Sequence, residues 1–267
     1  MRVQLYPGMR IGSYEIVSPP KEGIASVYKA RNVDTNDNIA LKVRSQRSFP
    51  EEIEYLRREE AVGRILGKHP NIVSVHGLER EADLFYLVMD FVDGQSVDDI
   101  VNEENALPPK RALAIARDVA AGLDYAHGKG VIHRDVKSAN ILFDGNKGLL
   151  FDFGLAHAPG FHPTGVVGST GFIPPEYSHN IRPDVRGDVY SLGVTILHML
   201  AGVDFVRSPE FGSIHNKRDY KAIVSKTRAV PGVLRAVLLK AVDAEPDNRY
   251  KSAGEFAEAL ESVLKKI

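Results

Sequence analysis

Four side chains between Val131 and His157 could do chemistry together: the carboxylates of Asp135 and Asp152, the ammonium of Lys137 and the amide of Asn140. Two carboxylates and an amide oxygen are hard donors of the kind magnesium takes. A carboxylate can also orient a hydroxyl and accept its proton, and a cation can balance the charge of a phosphate in transit. One Asp or Asn alone would read as a turn former or helix cap. Their order and spacing together point instead to a metal and phosphate site.

These residues sit in a loop-rich stretch, Val131–Pro175, which other elements must hold in place. Before it, the short runs YEIVS, SVYKARN, NIALKV, NIVSVHG and DLFYLVMDFV are rich in β-branched and aromatic residues and predict strands. One helical block, Glu51–Leu66, interrupts them. Beyond Asp93–Ser96 the pattern turns mostly helical. Ala112, Ile115, Ala116, Val119, Leu123 and Ala126 share one helical face that stops at Gly128 and Gly130. Val185, Val189, Leu192, Ile196 and Met199 form a second stripe, and Phe256, Ala259, Leu260, Val263 and Leu264 a third. Such stripes need a common core, so the second part reads as one helical lobe.

The chain has 267 residues, 43% of them hydrophobic and 26% charged, with a formal net charge of -1. That length can bury a sizeable core, and the balanced charge gives no general pull toward nucleic acid or an anionic membrane. With no cysteine, disulfides, thiolate metal sites and cysteine nucleophiles are excluded. No apolar run reaches the roughly 18 residues of a spanning helix, and the N-terminus lacks the apolar core of a secretory signal. The expected location is cytoplasmic. GLDYAHGKG, Gly122–Gly130, evokes a phosphate-binding loop, but its glycine spacing is one too long and Gly130 stands where a Ser or Thr would reach magnesium.

With HRDVKSAN at 133–140 and DFG seventeen residues after the first Asp, the sequence resembles the protein kinase superfamily over nearly its whole length. GSTGFIPPEY (168–177), IALK (39–42), HPNIV (69–73) and GDVYSLGV (187–194) add matches in the expected order. The resemblance implies an α+β, bilobal fold: an N-lobe, 1–92, of antiparallel sheet with one main helix, and a mostly helical C-lobe, 93–267. ATP and magnesium, with manganese as an alternative metal, would bind in the cleft between them. Asp135 would take the proton of the attacking hydroxyl, Lys137 would lie beside the transferring phosphate, and Asn140 and Asp152 would hold the metal. Lys42 would contact the α- and β-phosphates, fixed by Glu59 or, failing that, Glu60. Asp90 to Val92 would face adenine with backbone groups, Met89 at the back, and Val27, Ala40 and Gly23 would complete the nucleotide site. Asp188 would lie under the catalytic loop, and Arg249 would pair with Glu176.

The expected reaction is transfer of the ATP γ-phosphoryl group to Ser or Thr hydroxyls of proteins, this chain included. Lys137 resembles Ser/Thr rather than tyrosine enzymes, and the compact size resembles bacterial Hanks-type kinases. The departure from the family lies in the nucleotide loop. Aligning Val27 with the valine of G-x-G-x-x-G-x-V puts Pro20, Glu22 and Ala25 where three glycines would stand, with only Gly23 nearby. Losing one or two hydrogen bonds to a charged phosphate, at about 1.5–3 kcal/mol each, weakens binding about tenfold to several thousandfold. A pseudokinase acting as a binding or allosteric module is therefore the alternative, and a small-molecule kinase of the aminoglycoside or choline type a lesser one.

The resemblance also implies regulation. Arg134 is placed to bind a phosphate on the activation segment, Thr164 is the candidate phosphoacceptor, and His157 stands where a basic residue would help clamp it. Ser169 is expected to be structural. No further partner is indicated beyond protein substrates, with a transient homodimer during autophosphorylation.

Overall fold

The computed structural model describes residues 4–19, 26–45, 50–161, 168–179, 183–203, 205, 220, 224 and 229–267. They fall into two compact units, 1–69 with 73–93 and 70–72 with 94–267.

The first unit contains β1 (Arg10–Ile11), β2 (Tyr14–Ser18), β3 (Ser26–Asn32), β4 (Asn38–Ser45), α1 (Pro50–Leu66), β5 (Val75–Glu81) and β6 (Leu84–Asp90). The strands make one antiparallel sheet in the order β1-β2-β3-β4-β6-β5. Because successive side chains alternate across a strand, Tyr28, Ala30, Leu41, Val43, Tyr86 and Val88 enter one core with Ile11, Tyr14 and Ile16. The intervening residues of β3, β4 and β6 face the other way. In a flat sheet β2 and β5 would stand roughly 19 Å apart, four strand spacings. Yet the Tyr14 hydroxyl of β2 donates to Glu79 of β5 at 2.9 Å, and Tyr86 donates to the same carboxylate at 3.0 Å. The sheet therefore curls until β2, next to one edge, meets the edge strand β5 through Glu79. Burial and that carboxylate push the Tyr14 hydroxyl up to about 12.

The second unit contains β7 (Gln95–Ser96), α2 (Val97–Glu104), α3 (Pro109–Gly128), β8 (Ile141–Phe143), β9 (Gly148–Leu150), α4 (Val185–Ala201), α5 (Gly232–Ala241) and α6 (Ala253–Leu264), with 3-10 turns at Ser138–Asn140, Pro175–His179 and Pro246–Asn248. Their starts are encoded locally. Ser96 caps α2 by accepting the Asp99 N–H, Ser252 caps α6 by accepting that of Glu255, and Pro109 opens α3 where its missing donor costs nothing. The apolar stripes of α3 and α6 pack together, as their spacing predicts. The stripe on α4 understates its burial, since every residue from Gly187 to Leu200 is inside. α4 is the central post of this unit, and Gly193 lets it approach α5, where a Cβ would come within 2.9 Å of Val242.

The run NIVSVHG does not form one strand. Asn71 turns to the second unit, accepting the Leu150 N–H at 2.9 Å and donating its amide to Gly148 O, so β5 begins only at Val75.

Candidate active site

In the first unit, the β3–β4–β6 register sets Val27 opposite Lys42 and Ala40 opposite Met89. All four thus lie on the sheet face away from the core of Tyr28 and Leu41. Lys42 Nζ donates to Glu59 Oε2 of α1 at 2.7 Å, and the two side chains are only 9% and 2% exposed. Glu60 turns away to bond Arg64 one turn on. Ala40 and Met89 are buried, Val27 and Val92 half-buried. The Asp90 N–H is committed to Ser74 O at 2.9 Å and its carboxylate to His76 Nε2 at 2.8 Å. The Asp90 backbone donor is thus already spent. Because removing one partner of a buried ion pair strands the other, Glu59→Ala should lower stability by about 3–5 kcal/mol in denaturant melts.

In the second unit the loop before β8 is shaped from beneath. Arg134 has a left-handed φ of 69°, which costs a non-glycine residue about 1–2 kcal/mol. Asp188, fully buried on α4, offsets that cost: its carboxylate accepts the N–H groups of His133 at 2.8 Å and Arg134 at 2.9 Å, and bonds His127 Nε2 at 2.8 Å.

The turn presents Asp135 to three donors. Oδ1 accepts the Ser169 N–H at 2.8 Å, while Oδ2 accepts Asn140 Nδ2 at 3.0 Å and pairs with Lys137 Nζ at 2.9 Å. Lys137 also donates to Ser169 Oγ. Asn140 spends its second amide hydrogen on Asp135 O at 2.8 Å, so the whole NH2 group is committed and the amide oxygen is directed elsewhere. Asp152 is tied in through its neighbour. Phe151 N donates to Asn140 O at 3.1 Å, and Phe151 O accepts from His133 Nε2 at 3.0 Å. His133 Nδ1 accepts the Asp135 N–H, so both ring nitrogens serve the loop, and the ring meets Phe153 edge-on at 4.6 Å. Thus Asp135, Lys137 and Asn140 are in direct contact, and Asp152 follows a residue stitched to both ends of their loop.

Residues 22–266 match the family model described as protein kinase domain. The chain belongs to the protein kinase domain family. It is 36% identical over 251 residues to the serine/threonine-protein kinase PknB of Mycolicibacterium smegmatis, covering 88% of this chain and 40% of that one. To PrkC of Bacillus subtilis, also named a serine/threonine-protein kinase, it is 29% identical over 253 residues, covering 91% and 38%. The chain spans about two fifths of the length of these curated relatives. The crystal structure of the Mycobacterium tuberculosis PknI kinase domain superposes with a TM-score of 0.74 at 29% identity, covering 97% of this chain and 98% of that one. The bilobal α+β kinase fold is thereby established, with the antiparallel sheet in the first part and most helices in the second.

Several supports of the kinase domain site are now visible. Ser169 bonds Asp135 and Lys137, and Glu176 holds Arg249 in a two-pronged pair. His157 forms a backbone bridge with Ile132, its N–H and C=O both used at 2.9 and 2.8 Å. The Arg134 guanidinium lies 6.0 Å from the Tyr177 ring centre. The residue pattern alone singles out neither His127 nor Tyr177; a histidine in the last turn of a buried helix is the one clue to the first. Gly23 and Thr164, with Pro20, Glu22 and Ala25, lie outside the described residues. Among the described residues no helix is long and apolar enough to cross a membrane.

Asp188 also sets a pH dependence. Burial pushes its carboxyl up, but the His127 hydrogen bond and charge and the Arg134 N–H outweigh burial and hold it below the ordinary carboxylate range. A depressed folded value means stability that is present above the unfolded pKa of about 4 and lost as the pH falls below it. Melts of wild type and Asp188→Asn should therefore differ at neutral pH and converge only as the pH falls below the ordinary carboxylate range, through the depressed folded value.

Proposed function

We propose that this kinase domain transfers the γ-phosphoryl group of ATP to Ser or Thr hydroxyls of proteins, itself included. The observation that carries the reading is the Asp135 carboxylate, held by Ser169, Asn140 and Lys137 donors around a loop that also bears an oriented Asn140 oxygen. In this reading Asp135 orients the substrate hydroxyl and accepts its proton. Lys137, already neutralising Asp135 at 2.9 Å, would turn its charge toward an incoming phosphate. Lys42, aligned by Glu59, meets the α- and β-phosphates. Ala40, Met89, Val27 and Val92 contact the base, with Val92 supplying the backbone donor and Asp90 its carbonyl.

The donor set fits a hard divalent cation. Asn140 has its amide nitrogen committed and its oxygen left to bind, and the carboxylate of Asp152 is the second ligand. Magnesium, with manganese as a substitute, would neutralise the phosphate charge that develops during transfer. The balanced net charge gives no general pull toward nucleic acid, so proteins of the cytoplasm are the partners we expect, and self-phosphorylation would bring two copies together transiently. A phosphate on Thr164 would be met by Arg134 and His157; Thr164→Ala with undiminished activity and autophosphorylation would remove that regulatory part.

The test pairs a thermal shift with magnesium and ATP with mass spectrometry for phosphate on the same preparation, Asp152→Ala serving as control. Phosphate on wild type and none on the control is the expected result. Neither shift nor phosphate at millimolar ATP would instead establish a pseudokinase, with the glycine-poor loop as the cause.

A further inference from the structure

Beneath the catalytic loop, three residues from three elements meet in a chain. Ser138 opens the 3-10 turn that carries Asn140 and is 1% exposed. Its hydroxyl donates to Asp98 Oδ1 at 2.7 Å and lies 2.9 Å from His198 Nδ1. Asp98 stands in the first turn of α2, and His198 in the last turn of α4. A serine hydroxyl has one proton to give. Since Asp98 receives it, the contact with the ring is an Nδ1–H donating to the serine oxygen. The ring proton is thereby assigned to Nδ1, which agrees with the other nitrogen: His198 Nε2 is buried and has no hydrogen-bond partner. The edge of Phe172 packs near it, ring centres 6.3 Å apart. Burial, only partly countered by the Asp98 charge, holds the imidazole below its ordinary pKa.

The place of Ser138 in the chain gives this arrangement its consequence. Its neighbours on either side are Lys137 and, two residues on, Asn140, the two groups that touch Asp135 Oδ2. The turn has no side-chain cap of its own. Whatever fixes Ser138 from below fixes where the ammonium and the amide arrive above.

We propose that Asp98 and His198 are positioning residues that act through Ser138, setting the height and tilt of the 138–140 turn and so the meeting of Lys137 and Asn140 with Asp135. The kinetic side of this inference rests on the phosphoryl-transfer reading above; the structural side does not. The competing explanation is that Asp98 merely stabilises the start of α2 by its charge. That role would cost stability and leave turnover per folded molecule alone.

The experiment uses the whole chain as Asp98→Ala, Ser138→Ala and the double variant. Asp98 is the gentler change, because its side chain is 38% exposed. The turnover number per folded molecule should fall about ten- to a hundredfold, with KM for ATP within about threefold of wild type. The double variant should be no slower than the slower single one, since both cut the same chain. Unchanged kcat, a change confined to KM, or multiplying effects would overturn the proposal. Hydrogen exchange is measured in parallel: amides of 135–143 should exchange faster in Asp98→Ala, with α6 unaffected. Unchanged exchange there would overturn the positioning role even if wild type transfers no phosphate, a result that would separately sink the kinase reading.

Discussion

Asp135→Asn should still give a thermal shift with ATP and magnesium but transfer phosphate about a hundredfold to ten-thousandfold more slowly. The substitution keeps the shape of the side chain and can keep the bond from Ser169 N–H to Oδ1 at 2.8 Å. What it loses is the proposed base. Its new NH2 group also stands where Oδ2 accepts from Asn140 Nδ2 and pairs with Lys137 Nζ, so donors face donors. The amide must then turn, giving up Ser169, or push Asn140 and Lys137 away. Rates of phosphate incorporation at saturating ATP, beside the thermal shift, separate lost chemistry from lost binding. A variant with near-normal rates would remove Asp135 from the role of base.

Arg249→Ala should destabilise the protein by about 3–5 kcal/mol. The Arg249 side chain is 0% exposed and all five of its guanidinium hydrogens are used. Two go to the oxygens of Glu176 at 2.7 and 2.8 Å, and the others to the carbonyls of Asp243, Arg186 and Ala244. The ring of Tyr190 lies 4.7 Å below the charge. Truncation strands a buried carboxylate and three carbonyls at once. Arg249→Lys should recover only part of the loss, because an ammonium has three donors and no planar fork. Removing Glu176 as well should cost less than the two single losses added, since the stranded charge goes with it. Denaturant midpoints of the two singles and the double measure this; additive losses would show that the pair is not coupled.

The candidate site of this chain is more legible in its sequence than the scaffolding beneath it. Asp135, Lys137, Asn140 and Asp152 are close in sequence and of types that make sense only together, and the stripes on α3 and α6 announce their buried faces through local spacing. Glu59 and Glu60 illustrate the limit. Adjacent helical residues point about 100° apart, so only the placement of α1 against β4 decides which meets Lys42, and the charged run says nothing of it. NIVSVHG reads as one strand because β-branched residues look alike whichever unit claims them, whereas Asn71 is drawn to β9 by hydrogen bonds that no local pattern encodes. α4 reads as a stripe although it is buried all round, because its Gly, Ser and Thr residues do not register as apolar. Ser138, Asp98 and His198 are 40 and 60 residues apart along the chain, and none belongs to a periodic signal.

The Glu79 clasp bears on how the first unit behaves before its partner elements have folded. An outer strand with free N–H and C=O groups is a template for pairing with another molecule. Here two tyrosines converge on one carboxylate, and the Gly12 N–H is taken by Glu81, so the hairpin of β1 and β2 is fastened over the outer strand β5. A nascent chain that closes this clasp early would offer neighbouring chains little strand edge to join. Glu79→Ala would then show itself less as lost activity than as aggregation during refolding, in a protein whose mature fold remains intact.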